Sequence, residues 1–269
     1  MNIRPFLTLL LLASLAACSG QDAAPQDSQP APPATEAPAG DAAAEPAVDA
    51  GADPATEAAD GGEAAAPAAP APAAPSGPAP VAGVDYQVIE NGQPFHPVAG
   101  KIEVAEVFGY TCPHCANFDP ILEAWAKRQP ADVNLVLVPG AFGGYWTPYA
   151  RAFYTAEALG VLPKTHAATF RAIHLERSLP VNANVGAAEL APFYAQYGVD
   201  AKRFADTFNS FGVEAKLNRA RQFAARARIE GTPALVVAGK YTINADQYGF
   251  EKMLATAEWL VAQERGGAR

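Results

Sequence analysis

The sequence predicts an α/β fold with an inserted α-helical domain, preceded by a disordered Ala/Pro-rich linker. Three observations predict it. A strand–helix–strand pattern opens the folded region, a long stretch without a convincing strand follows, and a strand–strand–helix pattern closes it. Residues 101–110 (KIEVAEVFGY) read as a buried strand, and 133–138 (VNLVLV) as a second. The second is near-continuously apolar, as expected of a parallel strand covered on both faces. Between them a helical run passes through 116–125, with Pro120 placed to kink it. From 147 to about 227 the pattern is helical, in segments 147–159, 164–176, 187–197, 200–208 and 213–228. Gly160, Pro163, Pro180, Gly198 and Gly212 punctuate them. A strand at 234–238 then turns through Gly239-Lys240 into 241–243. A last helix spans 247–263, with Met253, Leu254, Ala257, Leu260 and Val261 as its apolar face.

The 269 residues carry a formal net charge of −9, unevenly placed. Residues 19–80 hold ten carboxylates, 13 of the 25 prolines, and no Lys, Arg or aromatic residue. Such a tract cannot bury enough apolar surface to offset chain entropy and is expected to stay disordered. Residues 81–269 balance 18 acidic against 18 basic side chains and hold every Trp and Tyr, so one domain follows. The acidity belongs to the linker. No excess positive charge supports nucleic-acid binding.

Residues 1–17 read as an export signal, with Arg4, an apolar run from Phe6 to Leu15, and a small-residue end. The run is shorter than the ~20 residues a spanning helix needs. Leu15-Ala16-Ala17-Cys18 resembles the lipobox of bacterial lipoproteins. The resemblance implies cleavage before Cys18, diacylation of Cys18 and an amino-terminal anchor to a membrane, with 18–80 as a lipidated tether. An ordinary secretory signal with an incidental Cys18 is the alternative. Ser19 departs from the Asp that commonly retains lipoproteins in the inner membrane, which points toward the outer one.

With Cys18 lipidated, the domain's own cysteines are Cys112 and Cys115. A domain of this size needs no staple, and so short a disulfide loop removes little chain entropy. Reactivity is the expected reason for the pair. In disulfide exchange the thiolate is the nucleophile, so one cysteine must ionise near neutral pH. Cys112 sits between strand and helix, where unpaired N–H groups and the helix dipole favour an anion, and Cys115 lies one turn in. Pro113 suits the first turn. His114 adds a donor and, when charged, a cation. A more stable reduced thiolate makes the disulfide a stronger oxidant. C-x-x-C is also half a zinc site, but His96, His114, His166 and His174 form no second close pair, so no metal is expected. A structural disulfide is the other alternative.

Residues 81–265 resemble the DsbA family of thiol:disulfide interchange proteins. The resemblance is carried by Val-Phe-Gly-Tyr-Thr-Cys-Pro-His-Cys (107–115), Gly143-Gly144-Tyr145-Trp146, Arg151-Ala152-Phe153-Tyr154 and Gly231-Thr232-Pro233-Ala234. It implies a thioredoxin-like fold and a periplasmic monomer, without cofactor, that passes its disulfide to reduced, unfolded exported proteins. It also implies reoxidation by a DsbB-like membrane partner. The family places a cis-proline at Thr232-Pro233, packed against the cysteine pair, with backbone free to pair with an extended substrate segment. Glu106 matches an acid the family buries beneath the site, and Asp119 a second acidic position. Both are expected to tune thiol ionisation or proton transfer.

Two other functions compete. An isomerase or reductase on the same fold is one, although related isomerases carry an amino-terminal dimerisation domain where this chain has its acidic tract. A tethered chaperone or binding module with vestigial cysteines is the other. The cations Lys216, Arg219, Arg221, Arg226 and Arg228 read as a solvated helix face, Trp125, Trp146 and Phe153 as core. His166 and His174 receive no role.

Overall fold

The computed structural model describes residues 77–245 and 249–267. The export signal, Cys18 and the linker as far as 76 lie outside them, as do 246–248, where the sequence pattern starts its last helix. The central strand, β2 (Ile102–Phe108), carries the chain to the cysteine pair. It is two residues shorter than the apolar run suggests at its far end, because Gly109 leaves the ladder and Tyr110-Thr111 turn into the helix. That helix, α1 (Pro113–Ala126), passes through Pro120 unbroken. It leads to β3 (Val133–Pro139), which pairs with β2 in parallel from Ile102↔Val133 to Phe108↔Pro139.

Five helices then intervene: α2 (Trp146–Ala158), α3 (Leu162–His174), α4 (Ala187–Ala195), α5 (Ala201–Phe208) and α6 (Phe211–Arg226). Side-chain caps set two of the starts. The Asp200 carboxylate accepts from Arg203 N at 2.8 Å and Ser210 Oγ accepts from Val213 N at 3.3 Å. The second cap explains why α6 begins before the 213 that periodicity suggests. The chain re-enters the sheet as β4 (Ala234–Val237), antiparallel to β2 from Val104↔Val237 to Val107↔Ala234. β5 (Tyr241–Asn244) and α7 (Gly249–Gly267) follow. The edge strand β1 (Gln87–Val88) pairs with β5 and completes the order β1-β5-β4-β2-β3. Two residues are too few to show alternation, so β1 leaves no sequence signal.

Period-two alternation divides β2 between two cores. Val104 packs with Phe118, Leu122 and Trp125 of α1, Leu235 of β4, and Met253 and Leu260 of α7. Ala105 and Val107 join the larger cluster built with the helical insertion. Glu106 lies on the Val104 face, beneath α1. Glu103, also buried, accepts from Phe95 N at 2.5 Å and His96 N at 2.6 Å, tying the segment before β2 to the sheet.

The cations of α6 are not simply a solvated face. Arg219 donates to the Phe95 carbonyl and lies 4.7 Å from the centre of the Phe95 ring. Arg221 bonds Glu214 and Asn218, and Lys216 pairs with Glu157 of α2. Arg219 and Lys216 thus hold α6 to its neighbours, whereas these Arg221 bonds lie within the helix. Among the described residues, no helix is long and apolar enough to cross a membrane.

Candidate active site

The turn after β2 places Cys112 as the N-cap of α1, with its backbone N–H on the Gly109 carbonyl at 3.0 Å. Pro113 takes the first helical position, where its missing N–H leaves no carbonyl unpaired. Cys112 Sγ accepts from Cys115 N at 3.3 Å and faces the Thr232 carbonyl at 3.4 Å. The two cysteines are present as thiols. Their environments differ sharply. The hydrogen bond that the Cys115 thiol supplies, with contributions from Thr232 and the N–H groups of Cys115 and His114, pulls Cys112 down to about 5 against the opposing effect of burial. Cys115 is fully buried, and that burial, with the hydrogen bond it gives Cys112, pushes it far above the ordinary thiol range. One sulfur is poised as thiolate and the other as thiol. His114 is exposed, and its backbone N–H is the part that reaches Cys112.

The β2–β4 register brings Thr232-Pro233 beside Cys112, because Ala234 opposes Val107. The Thr232–Pro233 bond is cis. A groove of about 460 Å³ opens at this point, lined by Cys112, Pro113, Gly231 and Thr232 on one side and by Phe142, Tyr145 and Trp146 on the other. Phe142 and Tyr145 are 47% and 44% exposed, and both contact the Trp146 ring. Trp146 therefore belongs to a groove wall as much as to the core. It sits against Gly109, where a Cβ would fall 2.0 Å from the indole, so only glycine permits this wall.

Glu106 is 2% exposed. Burial raises its carboxyl well above the carboxylate range, helped by the charges of Asp119 and then Cys112. Asp119, on α1, lies 3.0 Å from His166 Nε2. That contact has ion-pair distance but lies off the line of a hydrogen bond, leaving Nε2 without a well-aligned partner. His166 Nδ1 meets the Tyr110 hydroxyl at 2.8 Å, and His174 Nε2 meets the Tyr110 carbonyl at 2.7 Å. Both histidines escape a sequence reading aimed at close ligand pairs. A signal did exist, since His166, Phe170 and His174 recur every four residues along one helix face.

Comparison with known proteins identifies the family and agrees with the fold. Residues 103–255 match the family model described as a DSBA-like thioredoxin domain. The chain is 37% identical over 189 residues to the thiol:disulfide interchange protein DsbA of Pseudomonas aeruginosa, covering 70% of this chain and 87% of that one. It is 42% identical over 176 residues to the protein of that name from Azotobacter vinelandii, covering 64% and 80%. The crystal structure of oxidoreductase DsbA from Xylella fastidiosa superposes with a TM-score of 0.67 at 51% identity, covering 70% of this chain and 98% of that one. Pseudomonas aeruginosa DsbA superposes with a TM-score of 0.64 at 38% identity, covering 70% and 96%.

Proposed function

Since this chain belongs to the DsbA family of thiol:disulfide interchange proteins, we propose that Cys112 and Cys115 are the couple through which it oxidises exported proteins. The protein is a periplasmic thiol–disulfide oxidoreductase, and the family's reoxidation by DsbB supplies its return path. The observation that carries the assignment of residues is the placement of Cys112 as the N-cap of α1, its sulfur accepting from Cys115 N at 3.3 Å, while Cys115 is fully buried. A substrate thiolate attacks Cys112 Sγ, the Cys112–Cys115 bond breaks, and Cys115 holds the released electron pair. The substrate's second thiol then displaces Cys112, which leaves readily because its thiolate is stable. Pro113 and His114 shape the helix start that favours that thiolate. Thr232 and Pro233, with the aromatic wall opposite, provide an edge and a trough for an extended substrate segment.

The discriminating measurement is the redox equilibrium with glutathione. A disulfide donor is expected above roughly −180 mV, whereas a reductase lies nearer −270 mV. A value in the lower range would favour the alternative of a reductase on the same fold.

The domain layout belongs to the same proposal: a signal at 1–17, Cys18 with its tether to 80, and the redox domain from 81 to 265, acting as a monomer. Support for the anchor is Leu15-Ala16-Ala17-Cys18 followed at once by an acidic, proline-rich spacer. As a flexible chain the spacer would reach roughly 45 Å, and roughly 190 Å fully extended. Labelled palmitate should enter the wild-type chain, and Cys18→Ala should move the protein from the membrane to the soluble periplasmic fraction. Equal partitioning of both would remove the anchor.

A further inference from the structure

β3 ends the sheet on its side, so among the described residues one of its edges has no neighbouring strand. Two bonds fix which groups lie on that edge. Ile102 N–H donates to the Asp132 carbonyl at one end of the β2–β3 ladder, and Gly140 N–H to the Phe108 carbonyl at the other. Alternate residues of a parallel strand bond the same neighbour, so Asn134, Val136 and Val138 serve β2. Val133, Leu135 and Leu137 therefore turn their backbone carbonyls outward. Leu135 and Leu137 turn their N–H groups outward as well, whereas Val133 N–H is taken by the Pro130 carbonyl. No described residue bonds the outward groups of Leu135 and Leu137. Residues 133–137 are only half-buried, which leaves this edge within reach of another chain.

The same strand lines a groove of about 650 Å³ between α1 and α3, separate from the one beside Cys112. Leu122, Leu135, Leu137 and Leu162 make it largely apolar. Its full charges are Asp119, Glu123 and Lys127. Glu123 and Lys127 pair with each other at 2.7 Å, which leaves the Asp119 carboxylate as the net charge. His166 stands beside Asp119 and offsets it only when protonated. A row of free backbone groups, apolar side chains beside them and one excess carboxylate together specify an occupant. It is an extended segment whose groove-facing residues, every second one, are apolar and end in a Lys or Arg.

We propose that the free edge of β3 and this groove form a second docking site for the reduced client, which adds there as a strand. The proposal rests on the disulfide-donor reading above, which makes the client an unfolded chain with unpaired backbone and exposed apolar residues. Helix α1 joins the two sites, since Pro113 lines the catalytic groove while Asp119, Glu123 and Lys127 line the second. The helix rises roughly 10–20 Å between them, a span that roughly ten extended client residues cover with slack. A client held on β3 presents its cysteines to Cys112 at a raised local concentration. Pro139 closes the edge by withholding an N–H, so the pairing is short. That suits a client segment better than a continuous sheet with a second copy.

The test compares two dithiol peptides as substrates of the disulfide form of the full chain. One is a short peptide around its two cysteines. The other joins the same peptide, through a Gly/Ser linker of roughly ten residues, to the tail Val-Thr-Val-Thr-Lys. The tailed peptide is expected to show a KM about tenfold lower at the same kcat. Ala167 is exposed on α3 and lines the groove, so Ala167→Trp should fill it without disturbing a core. Glu123→Lys, also at an exposed position, should reverse the charge of the lining. Each variant is expected to cancel most of the tenfold advantage and to leave the short peptide's kinetics as they were. A tail N-methylated at the amides that face β3 should lose the advantage too, as backbone pairing requires. Equal KM values for the two peptides with the wild type overturn the proposal, and β3 is then an ordinary sheet edge. An advantage that survives both variants and N-methylation overturns it as well. So does a concentration-dependent dimer in sedimentation that Ala167→Trp abolishes, since a second copy would then own the edge. A wild-type chain that oxidises neither peptide would overturn the donor reading instead, and this proposal with it.

Discussion

Replacing Cys112 with alanine is expected to abolish disulfide donation, with peptide oxidation falling a thousandfold or more, on the order of losing any covalent nucleophile. No neighbouring group can take over, because Cys115 is buried and strongly held as a thiol. Residual oxidation by Cys112→Ala at the wild-type rate would sink the assignment. The same residue predicts a pH dependence whose sign can be worked out. In the dithiol form the Cys112 thiol is depressed to about 5. Its stabilisation is therefore complete above the unfolded thiol pKa of about 8.5 and is lost as pH falls through the folded value. At pH 7, well above the folded value, the thiolate contributes about 1–2 kcal/mol once screening by solvent at the groove mouth is allowed for. The disulfide form contains no such thiolate. Reduced protein should therefore unfold at a higher temperature than oxidised protein at pH 7, and this advantage should vanish near pH 4. Cys115 adds nothing to the difference at neutral pH, since it stays a thiol whether folded or not.

Glu103→Ala is expected to produce the largest loss of stability among substitutions that spare the redox site. The Glu103 carboxylate receives two short hydrogen bonds from backbone N–H groups, one of them buried, and among the described residues neither donor has another acceptor. Each such charge-assisted bond contributes about 1.5–3 kcal/mol, and stranding the donors adds to the loss, so about 3–5 kcal/mol should go. For a domain of this size that lowers the melting temperature by roughly 10 °C. Thermal unfolding followed by circular dichroism checks it, and a shift under about 3 °C would show that Glu103 is dispensable. The reason for the size of the effect is positional. Phe95 is also the ring on which Arg219 lies, so one carboxylate on β2 helps to seat α6.

The order of elements was legible in the sequence because the information is local. Apolar runs at β2 and β3, and Gly or Pro between helices, announce themselves within a few residues. The cysteine motif and Thr232-Pro233 are equally local, and recognising them required no contact map. What escaped was written in distant contacts. Glu103 reads as one charge in an apolar strand until the segment eight residues earlier folds over it. His166 meets Tyr110 across 56 positions of chain, and Arg219 meets Phe95 across 124. A charged side chain on a helix looks solvated from periodicity alone, and its partner is chosen by the tertiary fold. Cap residues moved helix boundaries for the same reason, as Ser210 did for α6.

The strand order has a consequence for how this enzyme is made. Thr232 reaches Cys112 only after β4 joins β2, and all of α2 to α6 lies between β3 and β4 in the chain. A polypeptide threaded out of the cytoplasm amino terminus first delivers its cysteines long before that closing strand. Non-local pairings of this kind form late and leave a partly folded chain waiting. For that interval the future oxidant is itself an unfinished dithiol polypeptide, chemically the same kind of molecule as its clients. On the reading proposed above, its first disulfide is expected from the same DsbB-like reoxidant, once β4 has closed on β2 and Thr232 stands beside Cys112.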